Sequence, residues 1–317
     1  MGRRTFVKHA AAWATAGAVN SIVPSSLMAE EAIHKQPEHA PMELGLLIKP
    51  SPDPEAKIRL VHELGFKTCF LSLDGYLNHF TPALTRQFED LLDKYQVIAT
   101  TAEVVYPQPL KWNFVEGPAT IGVVPRAYRK ARLDALKQCS DFAKALGIGR
   151  VQTHCGFIPE YPKDALYEET VAAIREITEH CAANGQSFLM ETGQETPTTM
   201  LRMLKDVNNT ALGVGLDTAN LILYGKANPV DAVDILGPHV RSIHAKDGRW
   251  PTDPSELGEE VQIGKGLVDF KTVFTKLHRL GYTGAVTIER ETSGPQQIED
   301  VRQEKVYLER ILQDVLA

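Results

Sequence analysis

The chain carries only four cysteines, Cys69, Cys139, Cys155 and Cys181, and no two of them form a Cys-x-x-Cys pair. A zinc knuckle or thioredoxin-type redox site is therefore unsupported, and buried free thiols are expected rather than a disulfide framework. No apolar run approaches the roughly 20 residues that a bilayer-spanning helix needs, so stable membrane insertion is not expected. Past the N-terminus there is no basic block, and 34 basic against 40 acidic residues leave a formal charge of −6. A surface of that sign attracts no polyanion, so nucleic acid is not an expected partner. No Gly-x-Gly-x-x-Gly follows the first candidate strand, which argues against a doubly wound dinucleotide fold.

What is present begins with an address. Arg3-Arg4-Thr5-Phe6-Val7-Lys8 precedes a mildly apolar, Ala-rich stretch over 10–23, and small residues surround Ala29. This resembles a twin-arginine export signal. It implies a leader over 1–29, a polar linker over 30–42, a mature protein in the periplasm or otherwise exported, and the twin-arginine machinery as a partner. Removing Arg3, Arg4 and Lys8 makes the remaining chain more acidic still.

From residue 43 onward one unit recurs: a short aliphatic run, a polar loop, then a stretch of helical periodicity. Strands are expected over 44–48, 68–73, 97–102, 150–154, 187–191, 212–217, 240–244 and 285–289. Helical stretches lie at 54–64, 82–94, 125–146, 164–183, 197–205, 268–280 and 298–316. Gly65, Gly147, Gly185 and Gly281 stand where helices end, and Pro54, Pro82, Pro125 and Pro197 near helix starts. Strands alternating with helices make a parallel sheet, and eight such units suffice to close it. The length of 317 residues suits two average domains, but the pattern predicts one (β/α)8 TIM barrel over 43–317.

In such a barrel chemistry gathers at the C-terminal ends of the strands. The last four candidate strands end in Glu191, Asp217, His244 and Glu289. A charge closing a buried strand is costly unless paired or metal-bound, and three neighbouring carboxylates repel without a cation between them. Three oxygen ligands and one imidazole suit a single divalent ion, Mn²⁺ first, with Mg²⁺, Co²⁺ or Zn²⁺ as alternatives. The competing explanation is a salt-bridge network to Lys246 and Arg290.

These residues, with Glu191-Thr192-Gly193-Gln194-Glu195, Asp217-Thr218-Ala219-Asn220, His244-Ala245-Lys246-Asp247 and Gly264-Lys265-Gly266, resemble the xylose-isomerase-like barrel superfamily, the sugar phosphate isomerases/epimerases. The resemblance runs from about residue 43 to the C-terminus. It implies Glu191, Asp217, His244 and Glu289 as metal ligands, with Glu191 and Glu289 also exchanging protons. Many sugar epimerases of the group carry Asp-x-x-His where this chain has Asp217-Thr218-Ala219-Asn220. Asn orients a hydroxyl but exchanges no proton near neutral pH.

A divalent ion on a carbonyl and its neighbouring hydroxyl acidifies the C–H between them. The expected activity is thus isomerisation or epimerisation of an unphosphorylated keto-sugar or related polyol through an enediolate. A lyase or dehydratase acting on a 3-keto-glycoside or inosose shares the first step, and a non-catalytic sugar-binding barrel is the third reading. The group's DNA-repair endonucleases use additional histidines that this chain lacks. His154 and Lys246 join the catalytic candidates as proton donor and enediolate partner. Glu103, Trp112, Asn220, Gln194 and Trp250 are the substrate-binding candidates, with Glu195 and Glu291 behind them. Two long loops, 107–124 and 246–266, carry Trp112, Phe114 and Trp250 toward the mouth. Gly264-Lys265-Gly266 is too short for a phosphate loop. A small carbohydrate is the expected ligand, and self-association is left open.

Overall fold

The computed structural model describes residues 37–317. The expected leader and the first part of the linker lie outside the described residues.

The strands, in chain order, are β1 (Leu44–Ile48), β2 (Thr68–Ser72), β3 (Ile98–Glu103), β4 (Arg150–Thr153), β5 (Ser187–Glu191), β6 (Leu212–Asp217), β7 (Val240–Ala245), β8 (Asp247–Gly248), β9 (Glu260–Val261) and β10 (Val286–Ile288). The helices are α1 (Pro54–Glu63), α2 (Pro82–Tyr95), α3 (Gly117–Thr120), α4 (Arg126–Ala145), α5 (Ala165–Ala183), α6 (Pro197–Val207), α7 (Asn220–Leu223), α8 (Pro229–Leu236), α9 (Phe270–Arg279) and α10 (Pro295–Leu316). Eight parallel strands close in the order β1-β10-β7-β6-β5-β4-β3-β2, which is the expected (β/α)8 TIM barrel. The remaining two, β8 and β9, form a separate antiparallel ribbon in the loop after β7.

Local chemistry explains the alternation. Asp53, Thr81, Asp164, Thr196, Asn228 and Asp269 each accept a backbone N–H from the first turn of the helix that follows. At the other ends Gly65, Gly147, Gly185 and Gly281 all take the left-handed backbone that turns helix into strand. Each long helix buries one stripe: in α9 it is Phe270, Val273, Phe274 and Leu277, so truncating Phe274 to Ala would cost about 3–5 kcal/mol. The four cysteines are buried and none is paired.

Several details differ from the sequence expectation. Helices α3, α7 and α8 and the β8–β9 ribbon are additional elements in the loops after β3, β6 and β7, and β4 stops at Thr153, so His154 lies just past it. Strand β3 runs to Glu103, which the pattern had placed just past the strand. Strand β10 stops at Ile288, although Glu289 still donates its N–H to the Ala245 carbonyl at 3.1 Å and so continues the strand direction.

Candidate active site

The ligand candidates arrive from four adjacent strands. The register sets Glu191 beside Gly215, Asp217 beside His244, and Thr287 beside His244, so each following strand delivers its polar residue to the same level. One atom from each of Glu191, Asp217, His244 and Glu289 lies within 4.8 Å of all the others. His244 Nδ1 stands 3.2 Å from Glu191 Oε1, 3.1 Å from Glu289 Oε2 and 3.9 Å from Asp217 Oδ2. The first three residues are at most 1% exposed.

The turn after β6 shapes one ligand. Asp217 Oδ1 accepts the N–H groups of Ala219 and Asn220, both at 2.8 Å, which leaves Oδ2 buried with no hydrogen-bond partner. His244 Nε2 is likewise unpartnered. Orphaned polar atoms beside three buried carboxylates are expensive unless a cation joins them, so the donor set fits a divalent ion.

The electrostatics point the same way. Burial and the neighbouring Glu289 and Glu191 push the Asp217 carboxyl well above its usual range, although Lys246 pulls against them. Burial disfavours a charged His244, but the Glu191 and Glu289 carboxylates outweigh it and hold the imidazole well above its ordinary value. Burial also opposes ionisation of Glu289, yet Lys246 and His244 bring it well below. In the absence of metal, His244 and Lys246 thus act as counter-charges.

The salt-bridge alternative holds for one of its two cations. Lys246 Nζ is 3.6 Å from Glu289 Oε2, 3.9 Å from Asp217 Oδ2 and 3.3 Å from Glu291 Oε2. Arg290 instead pairs with Glu260 and Asp300 on the far side of the strand. Without a metal the cluster is balanced only by a charged His244 and Lys246 and by an Asp217 carboxyl that resists ionisation.

A cavity of about 490 Å³ reaches the quartet at Glu289. Glu103, Trp112, His154, Asn220, Lys246 and Glu289 line it. Glu103 is buried rather than on the rim, and burial together with the nearby Glu191 carboxylate raises its carboxyl well above the ordinary range. His154 Nε2 approaches Glu191 Oε1 at 3.4 Å, and the Trp112 ring meets the imidazole edge-on at 5.0 Å. Asn220 bridges, with Nδ2 3.4 Å from Glu191 Oε1 and Oδ1 accepting from Lys246 Nζ at 3.5 Å.

Two of the substrate-binding candidates stand away from the residues that line the cavity. Gln194 is not a cavity wall: it is buried behind His154, with its Nε2 3.1 Å from His154 Nδ1. Trp250 does not line the cavity either. It follows Arg249, which pairs with Glu259 across the ribbon, and it stands 42% exposed while Leu257 of the same loop reaches the cavity. The two mouth loops do meet, through Phe114 N–H on the Ser255 carbonyl at 3.0 Å. Glycine-rich 264–266 offers no anion cradle, because the N–H groups of Gly264 and Gly266 both donate to Asp247 Oδ2.

Three wall residues, and one residue behind Glu191, carried no sequence signal. Asp74 follows β2 and holds the N–H groups of Val105 and Tyr106; Lys49 and Ser51 follow β1. Gln152, on β4, donates to Glu191 Oε2 at 3.2 Å. In the polar run Arg150-Val151-Gln152-Thr153 nothing set it apart.

Comparison with known proteins agrees with this geometry. Residues 58–311 match the family model described as xylose isomerase-like TIM barrel. Among solved structures, a xylose isomerase domain protein from Planctomyces limnophilus superposes with a TM-score of 0.82 at 28% identity, covering 87% of this chain and 99% of that one. A D-tagatose 3-epimerase-like protein gives 0.69 at 21% identity, covering 86% and 98%. A xylose isomerase-like barrel from Mycobacterium smegmatis in complex with magnesium gives 0.67 at 20%, covering 88% and 98%.

Proposed function

The chain belongs to the xylose isomerase-like TIM barrel family, and we propose that it is a divalent-metal-dependent isomerase or epimerase of an unphosphorylated keto-sugar or related polyol. The observation that carries this reading is the buried quartet of Glu191, Asp217, His244 and Glu289, which meets a cavity at Glu289 and has an orphaned Asp217 Oδ2 among its ligand atoms. A D-tagatose 3-epimerase-like neighbour of the same fold supports the substrate class.

A bound divalent cation supplies Lewis acidity, drawing electron density from a substrate carbonyl and its neighbouring hydroxyl. Glu289 is the base in this reading. It lines the cavity, whereas Glu191 is held at both oxygens and does not. Its carboxylate takes the proton α to the carbonyl, and the C–H electron pair becomes the carbon–carbon double bond of an enediolate. Lys246, whose ammonium is kept protonated by Glu289, Glu291 and Asp217 against the effect of burial, steadies the negative oxygen. A proton delivered by His154 to the opposite face of the same carbon gives the epimer, and return of the Glu289 proton to the neighbouring carbon gives the isomer. Asn220 and Glu103 orient hydroxyls.

Elimination is the second reading, favoured by one observation: Asn220 stands where an acid–base histidine is expected, while His154 faces the cavity as a proton donor to a leaving oxygen. Metal analysis followed by incubation of keto-sugars and 3-keto-glycosides in heavy water separates the cases. Chelator-sensitive deuterium incorporation into recovered substrate and epimer supports the proposal. An unexchanged pool with an unsaturated product assigns a lyase. Sugar binding with no exchange and no chelator effect leaves only a binding barrel.

Export by the twin-arginine route accompanies the proposal, supported by the motif at residues 3–8. N-terminal sequencing of the mature protein from a fractionated host tests it; an intact Met1 in the cytosolic fraction would sink it.

A further inference from the structure

We propose that Gln152 is the positioning residue of the metal centre, fixing the plane of the Glu191 carboxylate so that its lone pairs are aimed at the other ligands, with Gly215 making the room it needs. The inference rests on the reading of the quartet as a divalent-metal site.

Gln152 and His154 are two residues apart along the β4 direction, so their side chains project to the same side, into the barrel. Between them they hold both oxygens of one carboxylate. His154 Nε2 is 3.4 Å from Glu191 Oε1, and Gln152 Nε2 donates to Oε2 at 3.2 Å. Oε1 is also the oxygen that faces His244, at 3.2 Å from Nδ1. The two oxygens are equivalent, so what the contacts set is the plane of the carboxylate: without the amide on Oε2 the group is free to turn about its last side-chain bond, and with it that angle is fixed from both ends.

Gly215 supplies the second, independent observation. It lies on β6 directly beside Glu191 in the register. Alternate strands of a TIM barrel fill the same interior layer, so inward residues of β4 and β6 compete for one volume. A Cβ at 215 would stand 2.1 Å from Gln152 Oε1 and 2.4 Å from its Cδ. Gly215 is not among the glycines with a left-handed backbone. Space, and not conformation, is what glycine provides here.

Packing alone does not account for the amide. Gln152 Oε1 is buried and accepts no hydrogen bond, a deficit of about 1–3 kcal/mol that a methionine of similar volume would avoid. Turning the amide over would set Oε1 against the Glu191 carboxylate, so its orientation follows from the contact it makes.

The test measures Mn²⁺ affinity by calorimetry on the full chain after chelation, beside thermal unfolding of the metal-free protein. Gln152→Met is expected to weaken Mn²⁺ binding by about 10–100-fold, the usual effect of losing a group that orients a ligand, with the metal-free midpoint unchanged or raised. Gly215→Ala is expected to lose affinity comparably by driving the amide aside. In a Gln152→Ala background the same Gly215→Ala change should cost nothing further, because the three atoms nearest that Cβ all belong to the Gln152 amide and are then gone. Wild-type affinity in Gln152→Met, or an equal Gly215→Ala penalty in both backgrounds, overturns the proposal. A wild-type protein that binds no Mn²⁺ removes the metal reading itself, and this inference with it.

Discussion

Lys246 and Glu289 meet at 3.6 Å, ammonium Nζ to carboxylate Oε2, on the floor of the cavity. The lysine therefore stands beside both a ligand candidate and the space for substrate. Its charge repels an incoming cation and attracts an enediolate oxygen. Lys246→Met is accordingly expected to bind Mn²⁺ at least as tightly as wild type while turnover falls by about 10²-fold. Calorimetry paired with deuterium exchange checks both halves. Loss of metal binding would show that Lys246 instead holds the ligands in place.

Metal should stabilise the fold, because the quartet is assembled only when the four strands are. A divalent ion at 100 times its Kd is expected to add about 2.7 kcal/mol to unfolding. Glu289→Gln and Asp217→Asn should lose most of that increment. Thermal scans with and without chelator measure it, and equal increments in wild type and Glu289→Gln would disprove the assignment.

Trp112 is 41% exposed, lines the cavity and touches His154, a geometry suited to the C–H face of a sugar ring. Trp112→Ala is expected to raise KM by about tenfold with metal affinity unchanged. An unaltered KM would assign the ring to loop packing.

Arg132 ties the Trp112 loop to the barrel. Its buried guanidinium donates to the carbonyls of Pro107, Pro109 and Gly122, at 2.7 Å and 2.6 Å for the last two, and burial without an anionic partner lowers it to about 10. Arg132→Met leaves those carbonyls without their donor. A loss of about 2–4 kcal/mol, higher KM and faster proteolysis within 107–124 are expected. Limited proteolysis at the wild-type rate would contradict this role.

Glu195 lies buried in the loop after β5, both oxygens unpartnered, and burial raises its carboxyl to about 8 from the ordinary 4.5. Between those values the folded chain keeps a proton that the unfolded chain has released, so stability falls as pH rises through the window. Glu304, raised to about 7 chiefly by burial, acts in the same direction. Glu195→Gln should therefore flatten the decline without abolishing it, with a gain on the order of a few kcal/mol at pH 8 and little at pH 4.5. Denaturant titrations at both pH values decide; a parallel offset at the two would rule out titration of Glu195.

Much of this protein is legible along the chain because it is local. Asp53 or Thr81 beside a proline starts a helix, Gly147 or Gly281 ends one, and an aliphatic run closing in Glu191 or Asp217 marks both a strand and the end that bears its chemistry. Each signal needs only neighbours a few residues away, so the barrel, its polarity and the four ligand candidates follow from the sequence. What the tertiary structure decided concerns atoms distant in sequence. It gave Gly264 and Gly266 to Asp247 rather than to a phosphate, turned Gln194 toward His154, and took Trp250 out of the cavity. It also set Gln152 into the volume left by Gly215, 63 positions later, where its amide reaches Glu191. Closure of the sheet makes β4 and β6 share one interior layer, and only in that shared volume does the absence of a side chain acquire a meaning.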